Sequence, residues 1–346
     1  MSPVKSLAAC VVAALALVSC GNSDSSGEVP TESTPSDAPA LTVYSGRGED
    51  LVQPVIDMFI EATGIEVEVR YGNSAEMLLL LQEEGTNTPA DLYYSQGAGF
   101  LGTLAADGRL LALDSDIPSL LVDPALASPT GDWVGVTGRA RTVVFNTEVL
   151  AETDLPESFA GFTDPEWKGR IGWAPTNASF QDHVTALRYL LGEEGARSWL
   201  NGVMDNNPIA YEGNGAIMQA VADGEVDVGF VNHYYLYENL VEEPNFPVAN
   251  HFYTDGDPGA LVNIAGIGVL ATSDNPSAAQ QLVRFMLSEP AQTYFAGRNF
   301  ELPVIAAVPP ADGLPDLGSL TLPAFDLNLL LDLQGTVDLL IEVGAL

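Results

Sequence analysis

Hydrophobic positions follow two different periods from residue 41 onward. A short apolar strand is predicted at Leu41 to Tyr44, and apolar residues then recur at helical spacing from Leu51 to Ile60 before Gly64 ends the helix. Strict alternation in residues 65–69 predicts a second strand. The same succession continues to a last predicted helix, Thr336 to Val343. This pattern predicts an α/β fold with mainly parallel strands.

Two of the predicted strands end at segments that suit a ligand. The strand Pro89 to Tyr94 is followed by a loop that begins at Ser95, and the strand Asp227 to Val231 leads to Tyr234 and Tyr235. Open α/β sheets bind ligands beside the carboxyl ends of their strands. We therefore expect both segments to face a ligand site.

The chain is long enough to need more than one core. It has 346 residues, and a single core stops growing at roughly 250 to 300 residues. The strand Arg139 to Asn146 is predicted to lead out of the first lobe. We predict a first lobe of residues 41–140 plus 263–308 and a second lobe of residues 141–262 plus 309–346.

The N-terminal segment is typical of a lipoprotein signal over residues 1–20. Its apolar run, Leu7 to Val18, is shorter than the roughly 20 residues of a membrane span, and Cys20 is the expected lipid acceptor. Residues 21–40 are mostly polar and predict a flexible tether. Removal of Cys10 with the signal leaves one cysteine, which excludes a disulfide framework and a cysteine-ligated zinc site. We expect an extracytoplasmic protein that is attached to the cell membrane through its lipid alone.

The net charge limits the classes of partner that the protein can bind. The formal net charge is −35, with 12 basic against 47 acidic residues. Because phosphates would be repelled, nucleic acid is excluded as a partner. An acidic surface favours solubility or salt tolerance and also attracts cations.

Motifs of enzymes are weak or missing from the sequence. Gly97 to Gly102 matches GxGxxG, but no acidic residue clearly ends a second strand as a dinucleotide site requires. His183, His233 and His251 do not form HExxH, and GxSxG is absent. We therefore predict no enzyme activity. For His233 two interpretations stay open, a group that supports the tyrosine pair or a loop histidine in solvent.

The adjacent tyrosines are the most informative feature of the chain. Tyr234 and Tyr235 follow a strand that is predicted to be buried. Their phenol oxygens can become hard anionic metal ligands, or the rings can belong to a buried aromatic cluster. The sequence around the pair leaves both interpretations open.

A second candidate site precedes the helical run Phe180 to Leu191. Free amide groups at Thr176, Asn177, Ala178 and Ser179, together with the helix dipole, form a natural anion site. Ordinary N-capping by one of these side chains explains the same residues.

Two arginines lie at the expected lobe boundary. Arg139 and Arg141 point to alternate faces of one predicted strand. One is expected to reach the cleft while the other pairs with surface carboxylates.

Taken together, several stretches make the chain resemble the ferric-iron-binding proteins of bacterial ABC importers, which have the type II periplasmic-binding-protein fold. The resemblance extends from Leu41 to Leu346. The stretches that carry it are Thr42–Arg47, Glu83–Asp91, Gly138–Arg141, Trp167–Gly172, Asn232–Tyr237 and Asp257–Val262.

The resemblance implies a two-lobed protein with a ligand cleft between the lobes. Tyr234 and Tyr235 would be phenolate ligands of ferric iron. An exogenous anion such as carbonate, phosphate or citrate would lie at residues 176–179, with Arg139 as a contact. The implied partners are an ABC permease and its ATPase, and we expect a monomer that carries ferric iron or a ferric chelate.

Two positions differ from the pattern of that family. Gly48 stands where iron binders commonly have a histidine, and Gln96 stands where some have a glutamate. Three interpretations follow. Glu49 or Asp50 replaces the lost ligand, an anion or chelator held by Arg47 or Arg139 fills the vacant positions, or the cleft binds a metal-free oxyanion.

Overall fold

Strands and helices alternate along residues 40–346, the part of the chain that the computed structural model describes. The predicted signal peptide, Cys20 and the tether up to residue 39 lie outside the described residues. The strands are β1 (Ala40–Ser45), β2 (Glu66–Tyr71), β3 (Leu92–Ser95), β4 (Trp133–Asn146), β5 (Ile171–Trp173), β6 (Ile209–Ala210), β7 (Val228–Asn232), β8 (Val248–His251), β9 (Val262–Val269) and β10 (Leu302–Pro303). The α-helices are α1 (Glu49–Thr63), α2 (Ser74–Glu84), α3 (Ala98–Ala106), α4 (Ala178–Leu190), α5 (Glu193–Asp205), α6 (Asn214–Ala222), α7 (Tyr234–Glu242), α8 (Pro276–Met286), α9 (Glu289–Asn299) and α10 (Leu333–Glu342).

Hydrogen bonds join the strands in the order β2-β1-β3-β9-β4-β7-β5-β6, and β8 and β10 also pair with β4. The pairs of β1 with β2 and β3, and of β5 with β6 and β7, are parallel. Each pairing of β4 or β9 is antiparallel. The α/β class is confirmed, but the prediction of mainly parallel strands is wrong, because these two strands carry the chain between the halves of the sheet.

Strand β4 links the two halves. Residues 133–140 pair with β9, whereas residues 141–146 pair with β7 and β8. All fourteen residues of β4 are buried. Arg139 and Arg141 therefore lie on either side of the point where the strand changes partners.

The helix ends follow ordinary capping chemistry. Gly64 adopts a left-handed conformation, φ 71°, and its N–H donates to Ile60 O, which ends α1 as predicted. At the start of α2, the Asn73 side chain accepts from the N–H of Glu76, and the Glu76 carboxylate accepts from the N–H of Asn73. This reciprocal pair fixes the loop that follows β2.

The hydrophobic core falls into clusters that follow the two halves. The first cluster contains residues of β1, β3 and β9, and the second contains residues of α4 and α5. Leu317 and Leu330 pack in the first cluster, while Leu340 packs in the second. A first lobe that takes in residues 309–331 fits this packing better than one that ends at residue 308. None of the helices in residues 40–346 is long and apolar enough to cross a membrane.

Candidate metal centre

The tyrosine pair begins α7 directly after β7. All five residues of β7 are buried between β4 and β5, which fixes where the helix starts. The rings of Tyr234 and Tyr235 stack with centroids 4.6 Å apart and an interplanar angle of 26°. Both side chains are half-buried and line an open cleft. Burial, followed by the neighbouring Tyr234, raises the pKa of Tyr235 above its ordinary value.

His233 anchors the turn that precedes the pair. It is fully buried, the Ala140 N–H donates to its Nδ1 at 3.1 Å, and its Nε2 donates to Phe300 O at 2.8 Å. Burial lowers the pKa of His233 to about 4, so the ring is neutral at neutral pH. The interpretation as a loop histidine in solvent is wrong. His233 instead joins the start of α7 to β4 and to the segment before β10.

The cleft in front of the pair has a volume of about 310 Å³. It is lined from both halves of the fold by Asn73, Ser74, Ala75, Gln96, Gly97, Phe100, Arg139, Asn177, Ala178, Ser179, Asp182, Asn214, Asn232, Tyr234 and Tyr235. A second cavity of about 680 Å³ adjoins it and shares Gln96 and Tyr234. We call the first of these the ligand cleft.

The N-terminal end of α4 faces into the ligand cleft. Asn177 caps this helix, because its Oδ1 accepts from the Ser179 N–H at 3.1 Å and from the Ser179 hydroxyl at 2.6 Å. Asn177, Ala178 and Ser179 line the cleft, whereas Thr176 is exposed and is not among the lining residues. Capping therefore operates here, and it leaves the end of the helix dipole directed at the cleft.

Arg141 lies beneath the ligand cleft with part of its guanidinium unmatched. Its Nη1 donates to Asn232 Oδ1 at 3.0 Å and to Ser179 Oγ at 3.4 Å. Its buried Nε and Nη2 have no hydrogen-bond partner within residues 40–346. Burial lowers the pKa of Arg141 to about 10, but the group remains charged at neutral pH. A buried cation with unused donors suits an anion.

Arg139 lines the same cleft in a different way. Its Nη2 donates to the backbone oxygens of Gln96 and, at 3.3 Å, of Ile264. Across the described chain, neither Arg139 nor Arg141 forms an ion pair with a carboxylate within 4 Å. The expectation that one arginine pairs with surface carboxylates is wrong, because both are buried at the junction in β4.

The first half of the fold brings few free ligands to the cleft. Gln96 is exposed and lines it. Arg47 is buried and bound to Glu301 at 2.8 Å, so its charge is already matched. Glu49 starts α1 and lies outside the linings of both cavities. Gly48 lines the second cavity only.

Among the lining residues from the second half of the fold, three were missed from the sequence. Asn214 and Asn232 meet beside Arg141, and Asp182 lies on the first turns of α4. The sequence could have indicated Asp182, because this residue lies three positions after Ser179 and so shares a helix face with it. The two asparagines have no such signal, since they start α6 and end β7, far apart in the chain.

The donors available for a metal ion are mainly phenolic. Within residues 40–346, no group of three or more His, Cys, Asp and Glu side chains is placed to hold a metal. Two adjacent phenols in one cleft with a helix N-terminus suit a hard, highly charged cation that completes its shell with an exogenous ligand.

Comparison with known proteins agrees with this fold. Residues 87–326 match the family model described as bacterial extracellular solute-binding protein. The major ferric iron-binding protein of Neisseria meningitidis serogroup B is 33% identical over 307 residues, which are 88% of this chain and 92% of that protein. Iron-bound HitA from Pseudomonas aeruginosa superposes with a TM-score of 0.78 at 34% identity, covering 88% of this chain and 99% of HitA.

A Trichodesmium protein (IdiA, FutA), whose structure contains iron and citrate, has a TM-score of 0.80 at 28% identity, with coverage of 88% and 99%. The predicted two-lobed fold is thereby confirmed. The chain belongs to the family of bacterial extracellular solute-binding proteins.

Proposed function

We propose that this protein captures ferric iron outside the cytoplasm and delivers it to an ABC permease that is driven by its ATPase. Tyr234 and Tyr235 are the metal ligands, and an exogenous anion or chelator completes the shell. The observation that carries the proposal is the stacked tyrosine pair in the ligand cleft, together with the buried Arg141, which donates to the lining residue Asn232 and whose Nε and Nη2 have no hydrogen-bond partner within residues 40–346.

The chemistry of the pair supports ferric iron. A free phenol has a pKa of about 10, and a bound trivalent cation promotes its deprotonation. Burial raises the pKa of Tyr235 further, so this phenol is neutral without metal and becomes anionic when metal binds. The similar proteins from Neisseria and Pseudomonas are named for iron or carry it.

The anion is proposed to lie between the start of α4 and Arg141. Asn177, Ala178 and Ser179 present the helix end, and Arg139 borders the same space. Thr176 stays a weaker candidate, because its side chain is exposed away from the lining. Carbonate, phosphate and citrate all fit the chemistry, and the Trichodesmium neighbour holds iron together with citrate.

The first lobe contributes through Gln96 in this proposal. Arg47 lines the second cavity, where its charge is matched by Glu301, and Glu49 serves mainly to start α1. The exogenous ligand therefore supplies most of the donors that face the tyrosines.

Delivery follows from closure of the lobes. A ligand shifts the equilibrium toward the closed form only by binding that form more tightly, and ligands contributed from both lobes provide this difference. Attachment to the membrane through Cys20 would keep the protein near its permease, and mass spectrometry of the membrane-extracted protein for a lipid on Cys20 tests it.

The test is a visible absorption titration of the purified protein with ferric citrate, with and without carbonate or phosphate. A tyrosinate-to-iron charge-transfer band is expected, and it should disappear in Tyr235→Phe. Tyr237→Phe is the matched control, because the Tyr237 hydroxyl donates to Gly313 O, outside the ligand cleft. The absence of a band in the native protein at every ratio would contradict iron binding and favour a metal-free anionic solute.

A further inference from the structure

Asp182 is the acidic side chain among the residues that line the ligand cleft, and the metal site described above gives it no role. Its Oδ2 accepts a hydrogen bond from Asn263 Nδ2 at 2.6 Å. This bond joins α4 to β9 and fixes the carboxylate at the cleft wall. Gly97 lies opposite, and a Cβ built on it would be 3.9 Å from the same Oδ2.

The surroundings of Asp182 are positively charged. The guanidinium groups of Arg139 and Arg141 both lower its pKa, but burial outweighs them and raises the pKa to about 6. The carboxylate is therefore ionised at neutral pH. Because neither arginine has an ion pair within 4 Å in the described chain, Asp182 offsets part of their charge without neutralising it.

The formal charges at the iron-loaded site, without the exogenous anion, add up to plus two. Ferric iron with two phenolates leaves one positive charge, the two arginines add two, and Asp182 removes one. We infer that Asp182 is a specificity-determining residue that lowers the charge of the anion that the site prefers, from three without this carboxylate to two with it. This inference rests on the proposed function, since it takes the iron and the phenolates as given.

A fixed carboxylate acts on an anion in proportion to the charge of that anion. At an effective dielectric constant of about 20 and a separation of several ångströms, one unit of ligand charge is worth roughly a factor of ten in affinity. Neutralising Asp182 should therefore tighten a monoanion roughly tenfold and a dianion roughly hundredfold. A purely structural role would change both affinities by the same factor.

The experiment compares sulfate and nitrate binding by calorimetry at pH 7.5 to the native protein and to Asp182→Asn, both metal-free. Sulfate and nitrate keep constant charges at this pH, and asparagine retains an oxygen that can accept from Asn263. We expect the ratio of the sulfate to the nitrate affinity to rise roughly tenfold in the variant.

Two further variants control the measurement. Asp182→Glu keeps the charge and should keep the native ratio. Glu238→Gln removes an exposed carboxylate that lines the second cavity and should change the ratio less than about threefold, because solvent screens it. A ratio in Asp182→Asn that equals the native ratio, or one that rises equally in Glu238→Gln, would overturn the inference.

The ferric citrate titration separates this inference from the proposed function. If the native protein gives the tyrosinate band while Asp182→Asn leaves the anion ratio unchanged, the charge-selecting role fails and the iron site stands. If the native protein gives no band, the iron site fails and the charge count on which the inference rests falls with it.

Discussion

The two sides of the ligand cleft differ in chemistry. The second lobe contributes the tyrosine pair, the capped start of α4 and a buried arginine with unused donors. The first lobe contributes Gln96 and Arg139, whose guanidinium donates to two backbone oxygens, while its other buried charges, Arg47 and Glu301, are paired with each other. The second lobe therefore supplies most of the groups that can bind a ligand, while the first lobe mainly completes the wall of the cleft. A buried charge in a cleft therefore indicates a ligand site only when its hydrogen bonds are incomplete.

The largest expected effect concerns stability and involves the first lobe. Burial raises the pKa of Glu301, but Arg47, Arg139 and Thr137 outweigh it and hold the pKa below its usual value. Arg47→Met leaves this charge without its main partner, and we expect a loss of about 3 to 5 kcal/mol in the free energy of unfolding. Urea unfolding of the metal-free protein measures it.

The matched control for that change removes both charges. Arg47→Met combined with Glu301→Gln should recover much of the lost stability, because no unpaired carboxylate remains buried. If Arg47→Met instead leaves stability intact and abolishes anion binding, the first lobe takes a direct part in the site and the contrast between the lobes is lost.

The next effect concerns binding and involves the second lobe. Tyr234→Phe and Tyr235→Phe each remove one phenolate, and we expect ferric affinity to fall by at least about 100-fold, since loss of groups that only orient ligands already costs 10- to 100-fold. Stability of the metal-free protein should stay nearly unchanged. Competition with citrate, followed at the charge-transfer band, gives the affinity, and undiminished affinity in both variants would remove the pair from the site.

Much of the fold could be predicted because its elements are short and periodic. The helix from Glu49 to Thr63 and the strand from Glu66 to Tyr71 follow the apolar spacing closely. The pairing of strand β4 could not be predicted in this way. All its residues are buried, so no alternation of polar and apolar positions shows which strand each end pairs with. Antiparallel pairing of β4 and β9 depends on contacts between distant segments, so local patterns do not reveal it.

The candidate site could be predicted in part for similar reasons. Tyr234 and Tyr235 are adjacent in sequence, so the pair is visible without a structure. The roles of Arg139 and Arg141 are not, because alternation along a strand cannot say which residue finds partners. His233 differs again, since its two hydrogen bonds come from segments 93 and 67 residues away.

Acidification should destabilise the second lobe through the buried His183, while Arg141 in the same region keeps its charge. Burial, followed by the charge of Arg141, lowers the pKa of His183 to about 3. His183 takes up a proton near pH 6.5 in the unfolded chain but not in the folded chain. Its contribution to the free energy of unfolding is therefore fully present above pH 6.5 and is lost as the pH decreases toward 3. By pH 5 His183 alone should cost about 2 kcal/mol, and His233 acts in the same direction.

Urea unfolding of the metal-free protein at pH 7 and pH 5 measures this change in the free energy of unfolding. His183→Gln keeps a donor for Pro258 O, which His183 Nε2 contacts at 2.8 Å, and removes the titration. Its stability should depend on pH by about 2 kcal/mol less than that of the native protein over this interval. Equal pH dependence in the two proteins would show that His183 has the same pKa in the folded and unfolded states, and that burial does not lower it.

The smallest expected effect comes from adding a charged metal ligand to the first-lobe side of the cleft. Gln96 lines both cavities, and its backbone is fixed because its N–H donates to Ser74 Oγ at 2.9 Å and its oxygen accepts from Arg139. Gln96→Glu places a charged oxygen donor there, which a trivalent cation prefers over an amide. We expect ferric affinity to rise roughly tenfold and the dependence on added carbonate or phosphate to decrease. Gln96→Ala, as the control, should change affinity less than about threefold. If Gln96→Ala instead weakens binding as strongly as loss of a tyrosine, the amide is a ligand in its own right and the first lobe does more than support the cleft.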